Sequence, residues 1–158
     1  MTTPKRAPAG TVVVGHDGAE GADRALQTAL EVAEALEAPV QVVRCWLIGY
    51  PPAELIEDGY VLPIDEIDSR ERRALIRRVR PFHDEHPTVR IECRAERGQP
   101  VETFLAIARD ARMLVVGSRG RGGFAALLLG SVSELCLHHA ACPVLVVPRR
   151  RGGAHASE

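Results

Sequence analysis

Five short strand-like runs recur along the chain, and each of the first four is followed by a stretch with helical apolar spacing, an alternation that parallel strands joined by helical crossovers satisfy. Residues 11–14, Thr-Val-Val-Val, are continuous and β-branched, as a strand buried on both faces reads. From Ala22 the period changes: Ala22, Ala25, Leu26, Ala29, Leu30, Ala33 and Leu36 share one helical face, with Glu31, Glu34 and Glu37 elsewhere, and Pro39 closes the helix. Residues 40–46 form a second buried run. The result is a β-α-β unit, whose strands are parallel and whose crossover is right-handed.

Residues 48–63 break the rhythm, because Pro51, Pro52, Gly59 and Pro63 forbid a long element while Tyr50, Leu55, Ile56, Tyr60 and Val61 keep the segment apolar. It reads as a flap near a site or a dimer contact, or else as a plain exposed connection. A second helix is predicted over 64–86, with Ile67, Ala74, Leu75, Val79 and Phe82 inward. Arg70, Arg72, Arg73, Arg77, Arg78 and Arg80 face largely outward, and Pro81 is expected to kink or end the helix. Val89, Ile91, Cys93 and Ala95 alternate with Arg90, Glu92, Arg94 and Glu96, the period-two signature of a half-exposed edge strand.

Gly98-Gln99-Pro100 opens a third helix with proline in its first turn, and Val101, Phe104, Leu105 and Ala108 form its expected buried stripe. Residues 113–116 are a fourth strand, Val132, Leu135, Cys136 and His139 line a last helix, and 143–148 is the closing strand. The expected fold is α/β: an open, doubly wound, five-stranded parallel sheet of order 3-2-1-4-5 with helices on both faces. One domain spans 11–148, between flexible tails at 1–10 and 149–158.

Composition narrows the function classes. The chain has 158 residues, 46% hydrophobic and 26% charged, with a net charge of -1, so it has no global attraction for nucleic acid or an anionic membrane. The arginine-rich helix also carries Asp65, Glu66, Asp68 and Glu71 and lacks interleaved aromatics, which argues against a nucleic-acid surface. Residues 1–10 have no apolar core of a secretory signal, and no run approaches membrane-spanning length. Cys45, Cys93, Cys136 and Cys142 are scattered without CxxC spacing, which suits a reducing compartment, so a cytoplasmic location is expected.

The chemistry concentrates in residues 113–133, where an apolar run stops at Gly117 and is followed by Gly120, Gly122, Gly123 and then Gly130-Ser131-Val132-Ser133. Glycines that permit positive φ or close approach, followed by the free N–H groups of a helix start, suit a bound phosphate. Ser131-x-x-Glu134 can equally be read as a capping box. The stretch is not a Walker A loop, since no lysine exists beyond Lys5, and Ala125 interrupts a G-x-G-x-x-G pattern. In a sheet of order 3-2-1-4-5, strands one and four are central neighbours. Gly15-His16-Asp17 and Gly117-Ser118-Arg119 would then converge on one crevice at the strands' carboxyl ends, with Arg44-Cys45-Trp46 alongside.

The spacing Gly117-x2-Gly120-x9-Gly130-Ser131 resembles the nucleotide motif of the ATP-binding branch of the universal stress protein family. Val13-Val14-Gly15-His16-Asp17 is similar to the family's first strand, Gly98-Gln99-Pro100 to its turn before the third helix, and residues 142–147 to its closing strand. The resemblance implies bound ATP, with or without Mg²⁺. It assigns Asp17 to the adenosine end, beside Gly15, His16 and Gly18, and gives the backbone of Cys45 to adenine. Val116 and Gly117 would flank the nucleoside, followed by Ser118. Arg119, Gly120, Gly130, Ser131, Val132 and Ser133 would meet the phosphates. It also implies a homodimer through the last strand, 144–147. Many relatives have serine where this chain has Gly18. Arg119 and Arg121 could compensate by neutralising phosphate charge, or could point to solvent.

Phosphoryl transfer needs metal ligands, a positioned nucleophile and charge stabilisation. No base with a defined geometry is visible, His16 being the nearest titratable group, so the expectation is an occupied switch or sensor with little or no hydrolysis. A nucleotide-free interaction module and a slow ATPase are the alternatives. Cys136-x2-His139-x2-Cys142 lacks a fourth zinc ligand, and His83 and His86 are expected at the surface.

Overall fold

A computed structural model of the chain describes residues 3–47, 56–57, 60–61, 63–120 and 129–149. Its sheet has five parallel strands: β1 (Val12–Gly15), β2 (Val40–Trp46), β3 (Ile91–Arg97), β4 (Met113–Gly117) and β5 (Val144–Val147). They lie in the order β3-β2-β1-β4-β5, the expected 3-2-1-4-5. The register runs Val12 beside Val40 and Met113, Val40 beside Ile91, and Leu114 beside Val144. Among the described residues the α-helices are α1 (Glu20–Ala35), α2 (Ile64–Glu85), α3 (Pro100–Ile107) and α4 (Ser131–His139).

Alternate residues of the central strands face opposite layers, as the two-residue period of a strand requires. Val12, Val14, Val40, Val42 and Val115 pack with Leu26, Leu30, Leu75 and Val79 of α1 and α2. Val13, Val43, Leu114 and Val116 pack with Phe104, Ile107 and Cys136 of α3 and α4. Burial on both faces explains why these strands read as unbroken apolar runs. Edge strand β3 is only partly buried, and its alternation shows that exposure. Two polar ties fix α2 to β2: Trp46 Nε1 donates to Asp68 Oδ1 at 2.9 Å, and Arg44 Nε stands 2.8 Å from Glu71 Oε2.

Several local expectations are corrected. Helix α2 runs through Pro81 to Glu85 rather than ending there, and Glu71 joins its buried face while Ala74 and Phe82 are only half-buried. His86 is buried, within 3.0 Å of Glu34 Oε2 and 3.2 Å of Gln27 Nε2, because α2 ends against α1. In α3 the buried stripe is Thr103, Phe104 and Ile107, continued by Ala108, with Val101 and Leu105 half-buried. In α4 only Ser133 and Cys136 are buried, while Leu135 is 41% exposed and His139 is exposed.

Within residues 48–63, Ile56–Glu57 pairs antiparallel with Tyr60–Val61. The flap or dimer-contact reading of the rest falls outside the described residues, as do Arg121, Gly122, Gly123, Ala125 and residues 150–158. In the segment expected as an N-terminal tail, Ala7 is buried and donates its N–H to Ile107 O at 2.9 Å, while Lys5 O accepts from Arg94 Nη1 at 2.8 Å. Among the described residues, no helix is long and apolar enough to cross a membrane.

Candidate functional site

A crevice of about 560 Å³ opens over the carboxyl ends of β1, β2 and β4, where the strand order reverses. Of the fourteen candidate residues, it is lined by Gly15, His16, Asp17, Cys45, Val116, Gly117, Arg119, Gly120, Gly130, Ser131, Val132 and Ser133. Its volume falls in the ordinary range for small-molecule sites, about 300–1,000 Å³. Two candidates, Gly18 and Ser118, are not among its lining residues. Four further residues, Ala22, Pro100, Phe104 and Leu129, complete it. Phe104 and Pro100 were legible only as parts of a helix, since nothing in sequence places that helix over β1.

The glycines act through space more than through torsion. Gly117, Gly120 and Gly130 do not have positive φ; a Cβ at Gly120 would stand 3.0 Å from Asp17 Oδ2, and one at Gly15 only 2.7 Å from the Phe104 ring. The bare backbone at Gly15 lets Phe104 close down on β1. Gly18 is the conformational case, with φ +87°, a region that side-chain-bearing residues rarely adopt.

The anion end is built by the start of α4. Its N-cap is Gly130, without a side-chain cap, so the capping-box reading of Ser131 and Glu134 is not realised. Ser133 Oγ turns instead to backbone carbonyls, 3.1 Å from Ser118 O and 2.9 Å from Gly130 O. The Gly130 N–H also donates to Ser118 O, at 2.6 Å. Ser118 is therefore a stitch joining the end of β4 to α4, and its own Oγ accepts the Arg149 N–H. The amides of Ser131, Val132 and Ser133 fall at the positions that have no intrahelical acceptor, and all three residues line the crevice. Half-buried Arg119 has no ion-pair partner among the described residues.

At the other end, Asp17 Oδ1 accepts the Ala19 N–H at 2.9 Å, a turn that fixes the carboxylate before α1 begins. His16 is only 1% exposed, and both ring nitrogens have partners: Gly18 N–H at Nδ1 and Asp23 Oδ1 at Nε2. Burial lowers its pKa despite the opposing carboxylates of Asp23 and Asp17. Burial raises the Asp23 carboxyl, but hydrogen bonds from Arg78 and His16 outweigh it and hold that group below its ordinary value. The His16–Asp23–Arg78 network joins residues 7 and 55 positions apart, so no local signal announces it.

Cys45 presents a thiol whose pKa is pushed up to about 12, chiefly by burial. At pH 8 such a thiol holds roughly a thousandfold less thiolate than a free cysteine. A thiolate of higher pKa is also more nucleophilic, so iodoacetamide should label Cys45 more than about tenfold slower, read by peptide mass spectrometry against a free-cysteine standard. Labelling at an ordinary rate would show that the thiol is not buried as described. Among the described residues, no three His, Cys, Asp or Glu side chains gather as a metal site.

The chain spans 46% of the length of a universal stress protein of Mycolicibacterium smegmatis, with 33% identity over 143 residues, 88% of its own length. It thus covers about half of the curated relatives it matches. Among solved structures, universal stress protein UspA from Lactobacillus plantarum superposes with TM-score 0.72 at 18% identity, covering 90% of this chain and 99% of that one. A universal stress protein in complex with cAMP superposes with TM-score 0.65 at 26% identity, covering 90% and 98%. The profile of the universal stress protein family matches residues 9–148, and the chain belongs to that family.

Proposed function

We propose that this chain binds an adenine nucleotide in the crevice, ATP with or without Mg²⁺, and serves as a nucleotide-occupied regulatory or sensor module in stress response with little or no hydrolysis. The observation that carries this reading is the meeting, in one crevice, of the Asp17 carboxylate with the uncapped amides of Ser131, Val132 and Ser133. A carboxylate suits sugar hydroxyls, and helix-start amides suit phosphate oxygens. Apolar Val116, Phe104 and Pro100 offer surface to a nucleoside, the Cys45 backbone can serve the base, and Arg119 and Gly120 stand where phosphates would pass. Gly18 and Ser118 contribute by shaping loops. The cAMP complex of the 26% identical relative supports an adenine nucleotide in this fold.

Little hydrolysis is favoured because His16 has no ring nitrogen left to activate water. Strand β5 is a sheet edge, and pairing of two such edges, Val144–Val147, would make a homodimer. Four free cysteines suit a cytoplasmic setting.

The test is to denature the purified protein and identify released small molecules, then to add ATP to nucleotide-free protein. Near-stoichiometric adenine nucleotide supports the reading. So does a rise in Tm of about 5–10 °C at a hundredfold excess of ATP over Kd. No nucleotide and no shift would leave an interaction module, and steady ADP release would make it a slow ATPase.

A further inference from the structure

His16 ends a chain of contacts that crosses three elements. Arg78 of α2 grips Asp23 of α1, with Nε 2.9 Å from Oδ1 and Nη2 paired with Oδ2. Asp23 Oδ1 faces His16 Nε2 at 3.0 Å, and His16 Nδ1 lies 3.1 Å from the Gly18 nitrogen. The Gly18 N–H can only donate, so Nδ1 is the acceptor and the neutral ring carries its proton on Nε2, towards Asp23. Gly18 is the residue whose positive φ turns the loop, and Asp17 lies between it and His16.

We propose that His16 is a positioning residue for the nucleotide: its neutral ring holds the Gly18 amide and so presents Asp17 to the sugar, and protonation of the ring releases the ligand. This rests on the nucleotide reading above. A proton on Nδ1 would face the Gly18 N–H, two donors with no acceptor between them, in a space closed to water. The turn must then open, and the neighbouring carboxylate moves with it.

The charged groups facing His16 among the described residues are Asp23 from α1, Asp17 from its own loop and Arg78 from α2. Their balance with burial leaves the ring neutral at pH 7, with a midpoint below the ordinary 6.5. Affinity is therefore complete above that midpoint and falls as the pH drops through it. Because only the neutral fraction binds, each further pH unit lowers apparent affinity about tenfold.

The experiment titrates ATP into the full chain from pH 8 to pH 4.5, for the native protein, His16→Asn and His16→Phe. The His16 midpoint is read separately from its ring-proton NMR shift, and circular dichroism confirms folding at each pH. Asparagine keeps an acceptor for the Gly18 N–H without a titrating ring. Phenylalanine fills the volume without an acceptor. The native protein should lose affinity at the NMR midpoint, while His16→Asn binds within about threefold of it at pH 8 and lacks that extra loss. His16→Phe should bind about tenfold more weakly at pH 8. Protonation of ATP and of the other histidines affects all three proteins alike, so the difference isolates this ring.

Parallel pH profiles for the native protein and His16→Asn would overturn the proposal while leaving nucleotide binding intact. So would a His16 that stays neutral throughout the range. Absence of ATP binding by the native protein at every pH overturns both readings. Should His16→Phe fail to fold, the asparagine comparison decides alone.

Discussion

Valine at both Gly120 and Gly130 is expected to weaken ATP binding about 100-fold or more while leaving the fold in place, a loss of roughly 2.7 kcal/mol. That is the magnitude of one or two hydrogen bonds to a charged group, each about 1.5–3 kcal/mol. At Gly120 the first added carbon already stands 3.0 Å from Asp17 Oδ2, so a branched side chain pushes on the carboxylate and fills the space between it and α4. At Gly130, φ −77° and ψ 160° are open to valine, and a Cβ would meet Arg119 Cα and Ser118 O at 3.4 Å. The γ-methyl groups would crowd that stitch beside the Ser131–Ser133 amides, and the lost N-cap glycine costs helix α4 on the order of 1 kcal/mol. Calorimetric titration with ATP, paired with a melting curve, measures both effects. Unchanged affinity in a folded double variant would remove the basis for placing phosphate at this loop.

The sheet was legible because its strands are buried on two faces. Val12–Gly15 and Val40–Trp46 need apolar residues at consecutive positions, and no helix of that length competes for such a run. The convergence of the two strand ends followed from the order 3-2-1-4-5 expected of such a sheet, and twelve of the fourteen candidate residues do line one crevice. Less legible was what short helices bury. Helix α4 has only nine residues and lies near a sheet edge, so Leu135 and Leu137 remain exposed although their type reads as core.

The serines misled for a related reason. The Ser-x-x-Glu pattern serves a cap only when its serine is the N-cap, but here Gly130 takes that position and Ser131 is already the first residue of the helix, while the nearby Ser133 bonds to Ser118 O, fifteen residues away. A glycine N-cap has no side chain to offer, and the helix start is left without a side-chain cap. Ser118 looked like a ligand contact for the same want of a third dimension, and His86 looked like a surface group because its partners Glu34 and Gln27 lie on another helix. His16 was visible as a neighbour of Asp17, yet its engagement on both ring nitrogens depends on the distant Asp23 and Arg78 coming together.

Leu30→Ala is expected to cost about 3–5 kcal/mol, the range for truncating a leucine that is wholly enclosed. Leu30 is 0% exposed and shares its cluster with Val12, Val14, Val40, Val42 and Leu75. Its neighbours on the sheet side are β-branched and locked in a hydrogen-bonded ladder, so they cannot move inward to fill the vacated volume. For a domain of this size the Tm should fall by roughly 6–15 °C. Leu135→Ala removes the same atoms from a residue 41% exposed and should cost well under 1 kcal/mol. Equal losses at the two positions would contradict the layering described for α1 and α4. Below its lowered Tm, Leu30→Ala should still bind ATP within about threefold of the native protein. Leu30 packs in the layer of Val12 and Val14, eight residues along α1 from Ala22, which lines the crevice, while Val116, Phe104 and the start of α4 build the wall on the other side of the sheet.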